Sequence, residues 1–211
     1  MTNRSTLLTL ADSRLPTGGH VHSGGVEEAV TSGLVANIET LRAYLRRRIR
    51  THGLVTASLA AAVHAGTLSI PEADRETDAR TPAPAARQAS RAQGRGLARL
   101  ARRLWPDLDW RPLGTTPHLA VAAGTVGAAS GLNPDQTALS VVYTTMTGSA
   151  TAAQRLLALD PADVAALTFE LAPLCEATAA EAGKELADLS DPLLDVLAQR
   201  HSERERPLFV S

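Results

Sequence analysis

The stretch from Thr116 to Pro161, TPHLAVAAGTVGAASGLNPDQTALSVVYTTMTGSATAAQRLLALDP, sets a capping residue directly before proline at Thr116-Pro117, Asn133-Pro134 and Asp160-Pro161. Asp191-Pro192 repeats the pattern further on. Each dipeptide reads as a helix start. Thr, Asn or Asp accepts a hydrogen bond from an orphan amide of the first turn, and proline at the first helical position has no amide to leave unpaired. Asn133-Pro134-Asp135-Gln136 adds a capping-box glutamine. The expected helices are Pro117 to Ser130, Pro134 to Leu159, Pro161 to Ala187 and Pro192 to Gln199, joined by loops short enough for antiparallel packing. Gly124, Gly127 and Gly131 cost helical propensity, roughly 1 kcal/mol each against Ala in a helix interior, so they imply close approach of backbones.

Working outward, Ser5 to Ala11, Gly25 to Ser32, Ile38 to Arg50, Leu54 to Ala65 and Ala85 to Leu104 also read as helices. Leu41, Leu45 and Ile49 share one face, and Gly66 closes the nearly all-apolar segment before it. Residues 69–84 hold little apolar material and three prolines, and are expected to be an exposed connection. No strand-like alternation persists and no internal repeat is visible. The reading is all-α: a multi-helix bundle in one domain spanning 1–211.

Composition agrees. Of 211 residues, 38 are Ala and 3% are aromatic, so the core is built from small aliphatic side chains packed closely. A hydrophobic share of 44% argues against disorder of the whole chain. Lys+Arg 21 against Asp+Glu 22 leaves a net charge of -1, which disfavours nucleic acid or an anionic membrane as partner. The single cysteine, Cys175, excludes an internal disulfide and a tetrahedral cysteine zinc site. No apolar run approaches the ~20 residues that span a bilayer, and no signal sequence is evident, so a cytoplasmic location is expected.

The segment Leu7 to Glu28, LLTLADSRLPTGGHVHSGGVEE, concentrates glycine pairs, a proline, two histidines and hydroxyls between helical patterns. It reads either as a functional loop or as a structural turn beneath neighbouring helices. His20-x-His22 could hold a transition metal, or be two ordinary hydrogen-bonded histidines. No H-E-x-x-H, P-loop or G-x-S-x-G pattern is present, and no nucleophile has an evident base. Arg87, Arg91, Arg95, Arg99 and Arg103 form a stripe that suits either solvent or an acidic partner inside or outside the fold. Arg46-Arg47-Arg48 with Arg50 is a weak nucleic-acid signal, unaccompanied by a recognition-helix pattern.

The loop resembles the N-terminal signature of the urease accessory protein F (UreF) family: Asp-Ser-x-x-Pro-x-Gly, an aromatic or histidine pair, then Ser-x-Gly-hydrophobic-Glu. Asp12, Ser13, Pro16, Gly18, Gly19, His22, Ser23, Gly25 and Glu27 meet it, with His20 where an aromatic residue is usual. Ser90 with Gln93-Gly94-Arg95, His118, and Ala152-Ala153-Gln154-Arg155-Leu156 follow in the expected order. Two departures stand out. Ala158-Leu159-Asp160-Pro161 replaces the family's Pro-Leu-Gly-Gln turn, and the tail His201-Ser202 to Pro207-Leu208-Phe209-Val210-Ser211 lacks the acid and arginine found in similar proteins.

The resemblance implies a non-catalytic, homodimeric helical protein. It would bridge an accessory protein called UreD or UreH and the GTPase UreG, coupling GTP hydrolysis to nickel insertion into apo-urease. Nickel would be handled by the complex and GTP by UreG, with no cofactor held stably by this chain. The Asp12 to Glu27 loop and Arg155 would face partners, with Glu27 and His22 making transient polar contacts. His201, Leu208 and Phe209 would dock the tail onto the UreD-like partner, and His20 and His22 would touch metal only transiently.

Overall fold

The computed structural model describes residues 4–12, 15–17, 21–205 and 207–209. Among them the order is α1 (Arg4–Leu10), α2 (Val26–Thr31), α3 (Ile38–Arg48), a π-helical turn (Ile49–Gly53), α4 (Leu54–Ala65), α5 (Ile70–Ala79), α6 (Pro84–Leu104), a 3-10 turn (Arg111–Leu113), α7 (Leu119–Ala129), α8 (Pro134–Leu157), α9 (Pro161–Ala182) and α10 (Pro192–Ser202). There is no strand among these residues, so the all-α reading holds.

The centre is α4, where every residue from Leu54 to Ala61 is buried. A helix apolar on all sides needs neighbours on all sides, and α7, α8 and α9 supply them. The glycines let them come close. A Cβ at Gly124 would sit 2.5 Å from the Ala60 carbonyl oxygen, and one at Gly127 would overlap the Thr137 side chain. Gly131 serves differently, closing α7 at φ +75. The main core gathers Leu41 and Leu45 of α3 and Ile49 of the π-helical turn with Met146, Leu167, Leu171 and Leu197. Side chains of this size contribute about 1.5–3 kcal/mol each when fully buried. A second cluster joins Ala73, Leu97, Ala98 and Ala101 to Trp110, Leu113 and Val121.

Asn133, Asp160 and Asp191 cap their helices as their sequence context dictates, through bonds to Gln136, Ala162 and Leu194 amides. Three expectations are corrected. Residues 69–84 are not merely a connection: Ser69 and Glu72 form a capping box that starts α5, and this helix buries Ala73 and Thr77. Thr116-Pro117 does not start α7. That helix begins at Leu119 because partners distant in sequence satisfy the entering amides: the Asp74 carboxylate accepts from the His118 N–H, and Ser90 Oγ from the Leu119 N–H. Finally, α9 stops at Ala182 rather than Ala187. Ala187 instead donates its N–H to Ser58 Oγ at 3.0 Å, while its carbonyl accepts from Arg80 Nε at 2.8 Å.

Candidate functional site

Two glycines in left-handed conformation, Gly24 (φ 65) and Gly25 (φ 87), swing the loop into α2. Its first turn carries Glu27, which is 2% exposed. A buried carboxylate needs donors, and these come from the far end of the chain. His201 Nε2 lies 2.8 Å from Glu27 Oε2, the Leu208 N–H donates to Oε1 at 2.7 Å, and the Phe209 N–H donates to Oε2 at 3.0 Å. Burial pushes the Glu27 carboxyl up, but the bonds from Leu208, His201 and Phe209 outweigh it and hold the group below the ordinary carboxylate range. Beside it, Arg204 pairs with Glu28 at 3.0 Å, and Arg155 lies 5.3 Å from the centre of the Phe209 ring. The tail is thus folded back over α2 with Phe209 buried and Leu208 80% exposed.

The sequence-predicted residues divide accordingly. Glu27, His201, Leu208, Phe209 and Arg155 converge. Ser23, fully buried, accepts the Glu27 N–H on its Oγ at 3.3 Å. Gly25 lies against Tyr44, whose hydroxyl donates to the Gly24 carbonyl at 2.8 Å. Asp12 is half-buried on a cavity wall and Pro16 is exposed. Ser13, Gly18, Gly19 and His20 lie outside the described residues. His22 is buried, and burial, then the nearby His201, lower its pKa. Glu27, expected to make transient polar contacts, has both carboxylate oxygens bonded to the tail within the chain.

Three features escaped sequence reading. Arg47 grips Asp191 with Nε at 2.8 Å and Nη2 at 2.7 Å, tying α3 to the start of α10. His52, in the π-helical turn, is held down to about 3 by burial and by the charge of Arg48. The third is a polar node joining α5, α6 and α7. His118, fully buried, places Nε2 2.9 Å from Asp78 and Nδ1 3.0 Å from Ser90 Oγ. Arg91 donates to Asp74 at 2.9 Å and to Asp78 at 2.8 Å. Asp74, Asp78 and His118 stand close enough to surround an ion, but the Arg91 guanidinium already occupies both carboxylates, which makes the group an internal ion-pair network. The Arg91 end of the arginine stripe meets acids within the fold, whereas Arg95, Arg99 and Arg103 are exposed. Among the described residues no helix is long and apolar enough to cross a membrane.

The UreF family model matches residues 35–172. The chain belongs to the UreF family. It is similar along its whole length to "Urease accessory protein UreF" of Mycobacterium sp. (strain JLS), at 80% identity over 211 residues with 100% of both chains covered. The protein of that name from Mycolicibacterium vanbaalenii is 79% identical over 214 residues, and that from Mycobacterium tuberculosis (strain ATCC 25177 / H37Ra) 70% over 211, again with 100% of each chain covered. The UreF match begins at Val35, after the Asp12 to Glu27 loop, while the full-length relatives include it.

Proposed function

We propose that this UreF-family chain is a non-catalytic scaffold for urease maturation. It holds a UreD/UreH accessory protein and the GTPase UreG together while GTP hydrolysis by UreG drives nickel into apo-urease. Nickel is cargo of the assembled complex, GTP belongs to UreG, and this chain keeps no cofactor of its own. The protein acts in the cytoplasm as a homodimer. Phe169, 81% exposed on α9 beside exposed Ala165 and Ala166, supports an apolar contact between copies.

The observation that carries the reading is the Glu27 clasp. It fixes the tail by its backbone amides, which leaves the side chain of Leu208 facing out as an apolar anchor for the UreD-like partner. Anchors of that kind dominate interface energetics. Removing the tail from His201 onward would also leave Glu27 buried without its imidazole, so the cleaner test is Leu208→Asp. This variant should keep the helical circular dichroism of the parent, lose co-purification with the UreD-like partner, and lower the nickel content and urea hydrolysis of co-expressed urease. Capture of that partner at the parental level by the folded variant would overturn the docking role.

A further inference from the structure

A cavity of about 170 Å³ is lined by Asp12, Thr17, His22 and Gly24, by the end of α3 and by the face of α8, with Phe209 at its edge. At roughly 30 Å³ per liquid water it has room for a small polyatomic ligand with some water. Its charged lining is unusual. Arg48, half-buried on the last turn of α3, reaches into it, and its buried Nε has no hydrogen-bond partner. Gly24 makes this possible, since a Cβ there would fall 2.6 Å from Arg48 Nη2 and 3.0 Å from Ser149 Oγ. The Tyr44 hydroxyl lies against the guanidinium. Asp191, an acid in the same neighbourhood, is taken by Arg47 and Thr51.

Arg155 brings a second guanidinium to the wall of the same cavity, where it lies over the Phe209 ring. Among the described residues neither Arg48 nor Arg155 is ion-paired. One acid, Asp12, shares the lining and has a partner of its own. Burial lowers the pKa of His22 and His52, so both imidazoles are neutral at physiological pH and the positive charge of the lining rests on the two guanidiniums. The π-helical turn that follows Arg48 is a rare local geometry, frequent at functional sites. A smaller cavity of about 120 Å³ shares Arg48, His22 and His52, so the guanidinium stands where the two spaces meet.

A guanidinium with an unfilled Nε–H and a second, exposed one lining the same cavity suit a small anion, because planar forks of N–H donors bind oxyanions with charge-assisted bonds. We infer that the chain binds a small oxyanion between Arg48 and Arg155. The site borders the folded-back tail through Arg155 and Phe209, whereas Leu208, the anchor proposed for the UreD-like partner, is not in its lining.

The test uses the full chain titrated with sodium phosphate and, separately, sodium formate, against sodium chloride at matched ionic strength. The arginine Nε–Hε resonances are followed by NMR, with Arg48 assigned by its loss in Arg48→Gln. The expected result is a shift of the Arg48 signal that saturates in the ~1 mM range with phosphate or formate and not with chloride. Arg155→Gln should weaken that binding several-fold, and oxyanion-dependent thermal stabilisation should vanish in Arg48→Gln. If Arg48→Gln does not fold, Arg48→Lys, which keeps the charge but lacks the Nε–H fork, should still weaken phosphate binding. An Arg48 signal indifferent to oxyanions, or equally moved by chloride, would overturn the proposal.

Discussion

Glu27 with His201 and Asp78 with His118 are both carboxylate–imidazole pairs at nearly the same separation, 2.8 and 2.9 Å, in two different settings. In the first, both partners are dry, with side-chain exposures of 2% and 3%, and every other bond to the carboxylate comes from the tail backbone. In the second, the histidine is buried but Asp78 keeps 42% of its side chain in water and shares Arg91 with Asp74. The dry pair has no substitute for a lost partner. The wetter node can replace one bond with water. The first therefore governs whether a chain end stays down, and the second adds a modest increment to helices already held by packing.

The largest effect expected is at Glu27. Glu27→Ala leaves buried His201 and two tail amides without an acceptor, a loss of about 3 kcal/mol. Amide exchange at Leu208 and Phe209 should accelerate about 100-fold, at 1.4 kcal/mol per tenfold, while α4 stays protected. Tail amides as protected as in the parent would show that something other than Glu27 holds this segment. Arg91→Ala should act globally, lowering the free energy of urea unfolding by about 1–2 kcal/mol because the Asp74 and Asp78 carboxylates and the Thr116 carbonyl lose a shared donor. Asp78→Asn, at the half-exposed acid, should cost about 1 kcal/mol or less.

Acid separates the two settings. Burial lowers the pKa of His52 and His118 below the ordinary 6.5, so they stay neutral in the fold while the unfolded chain takes up protons. Global stability should consequently fall as pH drops below 6.5, and His52→Gln should flatten that dependence. Glu27 acts in the same direction but in a lower pH window. Its lowered pKa contributes stability that is fully present above 4.5 and is lost as pH falls through the folded value. Between pH 6.5 and 4.5 chemical denaturation should grow easier while the tail amides remain protected, and tail protection should fail only below 4.5. Simultaneous loss of both would mean that the clasp and the core are one cooperative unit. The smallest effect is expected for Arg204→Ala, which removes a peripheral ion pair with Glu28 and should raise tail exchange less than tenfold.

What the sequence disclosed follows from the distance over which each contact acts. Asn133, Asp160 and Asp191 cap amides within three positions, so their helix starts were legible. The start of α7 was not, because Asp74 and Ser90 satisfy its entrance from 44 and 29 positions away. The α5 helix had a local signal in Ser69-x-x-Glu72, but its buried face is only Ala73 and Thr77, too small to register as amphipathic amid polar residues and prolines. At the site, Glu27 and His201 were each visible as unusual residues. That they meet across 174 positions is a property of the fold. Arg48 was masked by its neighbours, since a run of arginines looks like one basic patch although Arg47 grips Asp191, Arg48 lines a cavity and Arg46 faces solvent.

The apolar girth of α4 bears on how the polypeptide is born. Its residues Leu54 to Ala61 have no side suited to water, and the last helix that shields them, α9, ends at Ala182. At about 5–20 residues per second a ribosome needs roughly 6–25 s to deliver that cover. During this interval the emerging chain carries a sticky rod in search of company, which makes its yield in cells sensitive to translation speed and to the holdases waiting at the exit tunnel.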